Sequence, residues 1–111
     1  MKIKIAAVRI AGLLTLGATA ANAALDDATA QELMKKAGCA ACHSVDKKGI
    51  GPAYMEIGQK RKGESDAIAA LQKAVRGGSK GTYGSMPMPP TPSSKISDAD
   101  LHELIQWVLT K

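Results

Sequence analysis

The 111-residue sequence contains no phenylalanine, and its large aromatic rings come only from Tyr54, Tyr83 and Trp107. Large rings usually supply much of the buried area of a small protein core. A small domain that lacks them needs another source of stability, and disulfides or bound metals often supply it. The composition therefore predicts that something other than side chains fills the centre of the fold.

The sequence also carries little net charge outside its first 23 residues. The formal net charge is +5, but three of the fifteen basic residues lie in residues 1–23, which contain no acidic residue. Residues 24–111 therefore carry a net charge of only +2. So small a basic surplus, with few rings for stacking on bases, disfavours nucleic-acid binding. We predict no nucleic-acid partner.

No hydrophobic run in the sequence is long enough to cross a membrane. The apolar run 10–20 has about half of the ~20 residues that a spanning helix requires. It follows three basic residues and ends in the small-residue triplet 21–23, Ala-Asn-Ala, which is the pattern of a cleavable secretory signal peptide. An uncleaved anchor is less favoured because the run is short. We predict a signal peptide over 1–23 and one mature domain over 24–111, without a membrane span and exported to an oxidising compartment.

Apolar residues recur at helical spacing in three segments, and no segment shows the alternation of a strand, so the predicted fold class is all-α. The first helix spans 26–37 with Asp26 or Asp27 as its cap, the second spans 64–76 with Ser65 as its cap, and the last begins at Ser97. Trp107 borders the apolar face of the last helix. The residues predicted to share a buried face are Ala30, Leu33, Met34 and Ala37, then Ile68, Leu71 and Val75, then Leu101, Leu104, Ile105 and Val108.

Between the second and last helices, residues 77–94 hold four glycines and four of the five prolines. These residues break regular structure, which predicts a long loop. A loop of this length in a small domain is usually functional or disordered. The loop therefore needs a functional explanation.

The only two cysteines stand in the sequence Cys39-Ala-Ala-Cys42-His43. Cys-x-x-Cys-His is the attachment signature of a c-type haem. In a helical turn of about 100° per residue, the three side chains address one object, so that two thiols can bond to haem vinyl groups while the imidazole coordinates the iron. The motif predicts one covalently bound haem c per chain, which would also supply the missing apolar core.

Three other interpretations compete with haem attachment. A thiol–disulfide oxidoreductase uses Cys-x-x-Cys, but normally in a βαβ context that this sequence lacks. A zinc site would recruit His102, which is a single distant ligand rather than a second closely spaced pair. A disulfide between Cys39 and Cys42 would close too small a loop to stabilise the fold much.

The ligand on the other side of the iron decides between a carrier and a catalyst. Methionine opposite histidine gives an electron-transfer site, whereas an open position permits ligand binding or turnover. Met34 is predicted to pack in the first helix, and Met55 follows His43 too closely along the chain. Met86 and Met88 lie in the proline-rich loop, which can present a sulfur atom at little ordering cost. The candidates are Met34, Met55, Met86 and Met88.

Five motifs in order resemble the small bacterial class I cytochromes c of the c551/c552 (c8) type. They are CAACH at 39–43, GPAY at 51–54, GGSKG at 77–81, PMPP at 87–90 and WVL at 107–109, and they cover essentially the whole of residues 24–111. The resemblance implies a class I cytochrome c fold of three to five helices wrapped around one covalently bound haem.

The resemblance also implies roles for particular residues. It selects Met88 as the axial ligand, because the family's methionine precedes two prolines. It implies that the Pro52 carbonyl accepts a hydrogen bond from His43 Nδ1, the contact that orients a ligating imidazole. Tyr83 stands where the family often has a tryptophan that holds a haem propionate. Thr91 stands where an asparagine often contacts the methionine sulfur, so that contact is not carried over.

We therefore predict a periplasmic monohaem electron carrier with His43 and Met88 on the iron, acting as a monomer and not as an enzyme. The partners that the resemblance implies are a bc1 complex as donor and a terminal oxidase, nitrite reductase or peroxidase as acceptor. The alternative is a small haem enzyme or gas sensor with a labile sixth ligand. Basic residues that could form a rim for steering partners are Lys35, Lys36, Lys47, Lys48, Lys60, Arg61, Lys62 and Lys80.

Overall fold

A computed structural model of the protein describes Gly12 and residues 25–111. The described chain forms four α-helices: α1 (Asp27–Ala37), α2 (Tyr54–Lys60), α3 (Ala67–Gly77) and α4 (Asp98–Leu109). A single 3₁₀ turn covers Cys39–Ala41. The all-α prediction is confirmed, while the predicted signal peptide lies outside the described residues except for Gly12. None of the helices described is both long and apolar enough to cross a membrane.

Side chains cap two of the three predicted helices. At α1 the Asp26 carboxylate accepts a hydrogen bond from the backbone N–H of Thr29 at 2.7 Å, and at α4 the Ser97 hydroxyl accepts one from Asp100 N–H at 3.1 Å. Each cap satisfies a backbone donor that the helix itself leaves free. The predicted Ser65 cap is wrong: α3 is preceded by Asp66, whose side chain makes no capping bond.

Backbone turns replace the missing cap before α3. Glu64 N–H donates to the Arg61 carbonyl at 3.1 Å, and Ala67 N–H donates to the Glu64 carbonyl at 3.4 Å. The helix therefore starts three residues later than the predicted segment 64–76, because residues 64–66 form the preceding turn.

Helix α2 is the element that the sequence did not reveal. It has only seven residues, with Gly58 near its middle, and glycine weakens an isolated helix. Its buried residues are Tyr54, Ile57 and Gly58, and it packs against α4. Tertiary packing therefore stabilises this helix more than its intrinsic propensity does.

Helix α4 is the centre of the fold, because α1, α2 and α3 each pack against it. Its face of Leu101, Leu104, Ile105 and Val108 is buried as predicted. Trp107 was predicted to border this face but is only 2 % exposed. The indole is accommodated because its Nε1–H donates to the Asp27 carboxylate at 2.9 Å, which satisfies its one polar atom.

Candidate cofactor site

A cavity of about 370 Å³ lies between the helices and the long loop. This volume falls in the range of roughly 300–1,000 Å³ that is typical of small-molecule and cofactor sites. Its walls are largely apolar, since α2, α3 and α4 all turn aliphatic side chains towards it. The aliphatic residues lining it from these helices are Ile57, Leu71, Val75, Leu101, Leu104, Ile105 and Val108.

All the site residues predicted from the sequence line this one cavity. They come from three parts of the chain. Cys39, Cys42 and His43 lie at the turn after α1, Pro52 lies before α2, and Tyr83 and Met88 lie in the loop between α3 and α4. His102, the fourth ligand of the zinc interpretation, is exposed on α4 and is not among the lining residues.

A tight turn brings the two cysteines and the histidine together. The backbone N–H groups of Cys42 and His43 both donate to the Cys39 carbonyl, at 3.1 and 3.0 Å. Both thiols are free and half-buried. Burial raises the pKa of the Cys39 thiol, whereas the first cysteine of a redox-active Cys-x-x-Cys needs a lowered pKa. The environment therefore disfavours the thiol–disulfide interpretation.

The His43 ring is held in one orientation. Its Nδ1 lies 2.8 Å from the Pro52 carbonyl oxygen, and because a carbonyl can only accept, Nδ1 carries the proton. In the neutral tautomer with this hydrogen bond, the other nitrogen, Nε2, is the one available as a ligand atom. A Cβ atom on Gly51 would lie 2.7 Å from His43 Cε1, so only glycine lets the backbone approach the ring this closely.

Aromatic rings support His43 from the side of the core. The Tyr54 ring stacks on the imidazole with centroids 5.3 Å apart and an interplanar angle of 28°. Tyr54 in turn meets Trp107 edge to face at 5.9 Å and 71°. Burial raises the pKa of the Tyr54 phenol, so this ring stays neutral. The imidazole is thus anchored to α4 through two rings.

The long loop is closed at its base by an isolated β-bridge between Ser79 and Met88. Ser79 N–H donates to the Met88 carbonyl at 3.1 Å, and Met88 N–H donates to the Ser79 carbonyl at 2.7 Å. Sequence reasoning predicted the loop but not this pairing. The bridge fixes the backbone of Met88 where the loop meets α3.

The four candidate methionines occupy different environments. Met34 is 3 % exposed in the core, as predicted for a packing residue, and Met55 is 40 % exposed outside the cavity lining. Met86 and Met88 both line the cavity. Met86 is 65 % exposed, whereas Met88 is partly buried and held by the bridge. Of the four candidates, only the two loop methionines line the cavity, and Met88 is the more buried of the two.

The cavity also has polar features that point to an anionic occupant. Its charged lining residues are Lys48, Arg61 and Lys80, all of them basic. Among the described residues, three buried side-chain atoms have no hydrogen-bond partner, namely the hydroxyls of Tyr54 and Tyr83 and Arg61 Nε, and all three residues line the cavity. Sequence reasoning grouped Arg61 with surface basic residues and missed its place here, because no motif distinguishes it from its lysine neighbours.

These residues fit a covalently attached haem. Two free thiols and an imidazole whose Nδ1 is hydrogen-bonded to a carbonyl line the cavity, a partly buried thioether lies in the loop, and aliphatic side chains suit an apolar macrocycle. The basic lining residues and unpartnered donors suit the two carboxylates of the haem edge.

Comparisons with known proteins agree with this fit. A sequence model of the cytochrome c family matches residues 28–111. The chain is 52 % identical over 82 residues to cytochrome c2 of Rubrivivax gelatinosus, covering 74 % of this chain and 96 % of that protein. It is 43 % identical over 98 residues to cytochrome c-552 of Nitrosomonas europaea, covering 86 % of this chain and 93 % of that protein.

Solved structures have the same fold. The crystal structure of Nitrosomonas europaea cytochrome c552 superposes with a TM-score of 0.66 at 42 % identity, covering 72 % of this chain and 96 % of that one. The Class 1 cytochrome MtoD of Sideroxydans lithotrophicus gives a TM-score of 0.65 at 28 % identity, covering 78 % and 97 %. The chain therefore belongs to the cytochrome c family, as a small class I c-type cytochrome that binds haem c covalently and carries electrons.

Proposed function

We propose that the protein is a periplasmic monohaem electron carrier in which Cys39 and Cys42 attach the haem and His43 and Met88 ligate its iron. Bound haem supplies an iron that alternates between the ferrous and ferric states. The observation that carries the proposal is that both thiols, the oriented imidazole and the bridged methionine line one apolar cavity.

The ligand role of His43 is supported by its hydrogen bond to Pro52. A ligating histidine usually donates its second ring N–H to a carbonyl or carboxylate, which fixes the tautomer and the ring orientation. The 2.8 Å contact has this form, and the stacked Tyr54 ring restricts rotation further. We assign Pro52 a positioning role, since its carbonyl acts on the iron only through the imidazole.

The ligand role of Met88 is supported by the Ser79–Met88 bridge. Two backbone hydrogen bonds hold Met88, while Pro87 and Pro89 restrict the backbone on either side. A preorganised ligand loses little conformational freedom on binding. Rigidly held side chains of His43 and Met88 would change little between the oxidation states of a bound haem, which suits a carrier that makes and breaks no substrate bonds.

Tyr83 is the residue that we assign to a haem propionate. Its hydroxyl is buried, lines the cavity and has no partner among the described residues. The Lys60 ammonium lies 4.7 Å from the centre of the Tyr83 ring and donates to the Thr82 carbonyl at 3.0 Å. Lys60 thereby ties this part of the loop to the end of α2.

The test compares two methionines of the same loop in the purified holoprotein. We expect ferric wild type to show the weak far-red absorption band of methionine–iron ligation, Met86→Ala to keep it, and Met88→Ala to lose it and bind carbon monoxide. Loss of the band in Met86→Ala instead would move the ligand role to Met86. A wild type that lacks the band and binds carbon monoxide readily would favour the haem enzyme or gas sensor.

Periplasmic location rests on the signal-peptide pattern in residues 1–23. We expect the exported protein to begin at Ala24, and its mass, which includes one haem, measures this directly. An intact residue 1–23 segment on the exported protein would contradict the proposal.

We propose that the protein acts as a monomer between a bc1 complex and a terminal oxidase, nitrite reductase or peroxidase. Exposed Lys47, Lys48 and Lys80 lie beside or within the cavity lining, where charge steers a short-lived encounter. We expect electron transfer with such a partner to slow as salt rises. Rates that are insensitive to ionic strength would remove the steering role.

A further inference from the structure

The last part of the long loop lies directly against the backbone at the end of α3. Ser79 and Met88 exchange two backbone hydrogen bonds, at 3.1 and 2.7 Å. Further along the loop, Thr91 N–H donates to the Val75 carbonyl at 2.8 Å. Gly78 lies between these two attachment points. The chain that carries Met88 is therefore fixed to the backbone on both sides of Gly78.

No side chain fits at Gly78 in this arrangement. A Cβ atom there would lie 2.8 Å from the Met88 carbonyl oxygen, and 3.3 and 3.4 Å from Cδ and Cγ of Pro90. A carbon atom normally approaches a carbonyl oxygen no closer than about 3.3 Å. Because the nearest atom belongs to the backbone, a methyl group could be accommodated only by moving the chain at Met88 away from α3.

The backbone conformation of Gly78 also excludes other residues. Its φ of 83° and ψ of 168° fall in a region that is essentially restricted to glycine. Helix α3 ends at this point, and the next residue, Ser79, already pairs with Met88. Glycine is therefore required twice, by its own dihedral angles and by the chain that packs on it.

We propose that Gly78 is a positioning residue for the methionine ligand. Its lack of a side chain lets the chain at Met88 approach α3, and this approach determines how the sulfur is presented to the cavity. The inference rests on the proposed function, because it takes Met88 as the iron ligand. Methionine ligation raises the reduction potential of a haem iron. A side chain at position 78 would displace Met88, weaken its ligation, lower the potential and open the position to added ligands.

The experiment compares three glycine variants of the purified holoprotein. Gly78→Ala meets both constraints. Gly77→Ala is the control for an added methyl group, since a Cβ there has no atom within 4 Å. Gly63→Ala is the control for backbone strain, because Gly63 has a φ of 82° and a Cβ there also has no atom within 4 Å. Gly63 is exposed and lies outside the cavity lining, so strain there leaves Met88 in place.

Gly78→Ala should weaken the far-red methionine band and lower the reduction potential. We expect its ferric form to bind added imidazole about tenfold more tightly than wild type, because loss of the methionine relieves the strain. Both controls should bind imidazole within about twofold of wild type. Exchange of the Met88 N–H with solvent, followed by NMR in the ferrous protein, should become faster in Gly78→Ala alone. Changes in Gly78→Ala no larger than those in Gly63→Ala would overturn the proposal.

The wild-type spectrum separates this inference from the proposed function. A wild type without the far-red band would contradict Met88 ligation, and the inference would fail with it. A wild type that has the band, with Gly78→Ala matching its controls, would contradict the inference alone. If Gly78→Ala yields no holoprotein, the comparison uses Pro90→Ala with and without Gly78→Ala, since loss of the ring leaves only the carbonyl contact. Equal imidazole affinities in that pair would refute the contact.

Discussion

Replacing Arg76 with alanine should destabilise the protein more than any loss of surface charge would. Arg76 lies at the end of α3, and its guanidinium reaches two other parts of the chain. Nη2 and Nε donate to one oxygen of the Asp98 carboxylate at 2.6 and 3.2 Å. Nη2 also donates to the Ile96 carbonyl at 2.8 Å, and Nη1 donates to the Thr91 carbonyl at 3.3 Å. The arginine thus connects α3, the segment after Met88 and the start of α4.

The expected loss of stability follows from the solvent exposure of the Asp98 and Arg76 side chains. The Asp98 side chain is 87 % exposed, so the ion pair contributes only about 0–1 kcal/mol. The two carbonyl bonds involve a charged donor that is 24 % exposed, and hydrogen bonds of this kind contribute roughly 1.5–3 kcal/mol each. Taking the lower value for each, because water reaches the site, we expect Arg76→Ala to lower the free energy of unfolding by about 3 kcal/mol.

The assay is denaturant unfolding of the holoprotein, followed by circular dichroism and by the far-red methionine band. Asp98→Asn is the matched control and should cost less than about 1 kcal/mol, since it removes only the ion pair. In Arg76→Ala the methionine band should disappear at a lower denaturant concentration than the helical signal, because Thr91 anchors the segment that follows Met88. Equal losses in Arg76→Ala and Asp98→Asn would refute the reasoning, since the carbonyl bonds would then contribute nothing.

Three further predictions use contacts elsewhere in the fold. A Cβ on Gly58 would lie 2.9 Å from the Val108 carbonyl oxygen, so Gly58→Ala should displace α2 from α4. We expect it to lower the free energy of unfolding by about 1–3 kcal/mol in thermal or denaturant unfolding. A variant as stable as wild type would show that α4 shifts to accommodate the methyl group without cost. Gly51→Ala should turn the His43 ring and shift its proton NMR resonances in the ferrous protein, and unchanged resonances would contradict the close approach. Two hydrogen bonds lower the pKa of Asp27, the first from the lysine at position 111 and the second from the indole of α4. The carboxylate's contribution to stability is therefore complete above its ordinary pKa of about 4, and it is lost as the pH falls through the lower value of the folded state. The acid-unfolding curve of Asp27→Asn should therefore be flatter below pH ~4 than that of wild type, and parallel curves would exclude this contribution.

The helices that could be predicted are those with enough residues to show a period. Helices α1, α3 and α4 each repeat their apolar positions over eleven or twelve residues, and the predicted segments match them closely. Helix α2 has only seven residues, which is too short for a period to be visible. The burial of Trp107 was missed for a different reason, because its polar partner Asp27 lies 80 positions away in the sequence.

Some features of the candidate site could likewise be predicted from the sequence, and others could not. The attachment motif is local and could be read directly, and the roles of Pro52 and Met88 came from the resemblance of their motifs to a family. The Ser79–Met88 bridge joins backbone groups, which leave no side-chain pattern in the sequence. Arg61 stands between two lysines in a short basic run, and nothing in the sequence distinguishes it from them. Its side chain lines the cavity because the backbone bends after α2.

The central position of α4 has a consequence for the order of events during synthesis. Helices α2 and α3 pack against the last helix of the described chain, and α1 packs against it as well as against the Cys39–Ala41 turn. Until residues 98–109 are available, α2 and α3 therefore lack the helix that they pack against. We expect the chain to stay open until then, so that covalent modification of Cys39 and Cys42 can precede closure of the helices around them.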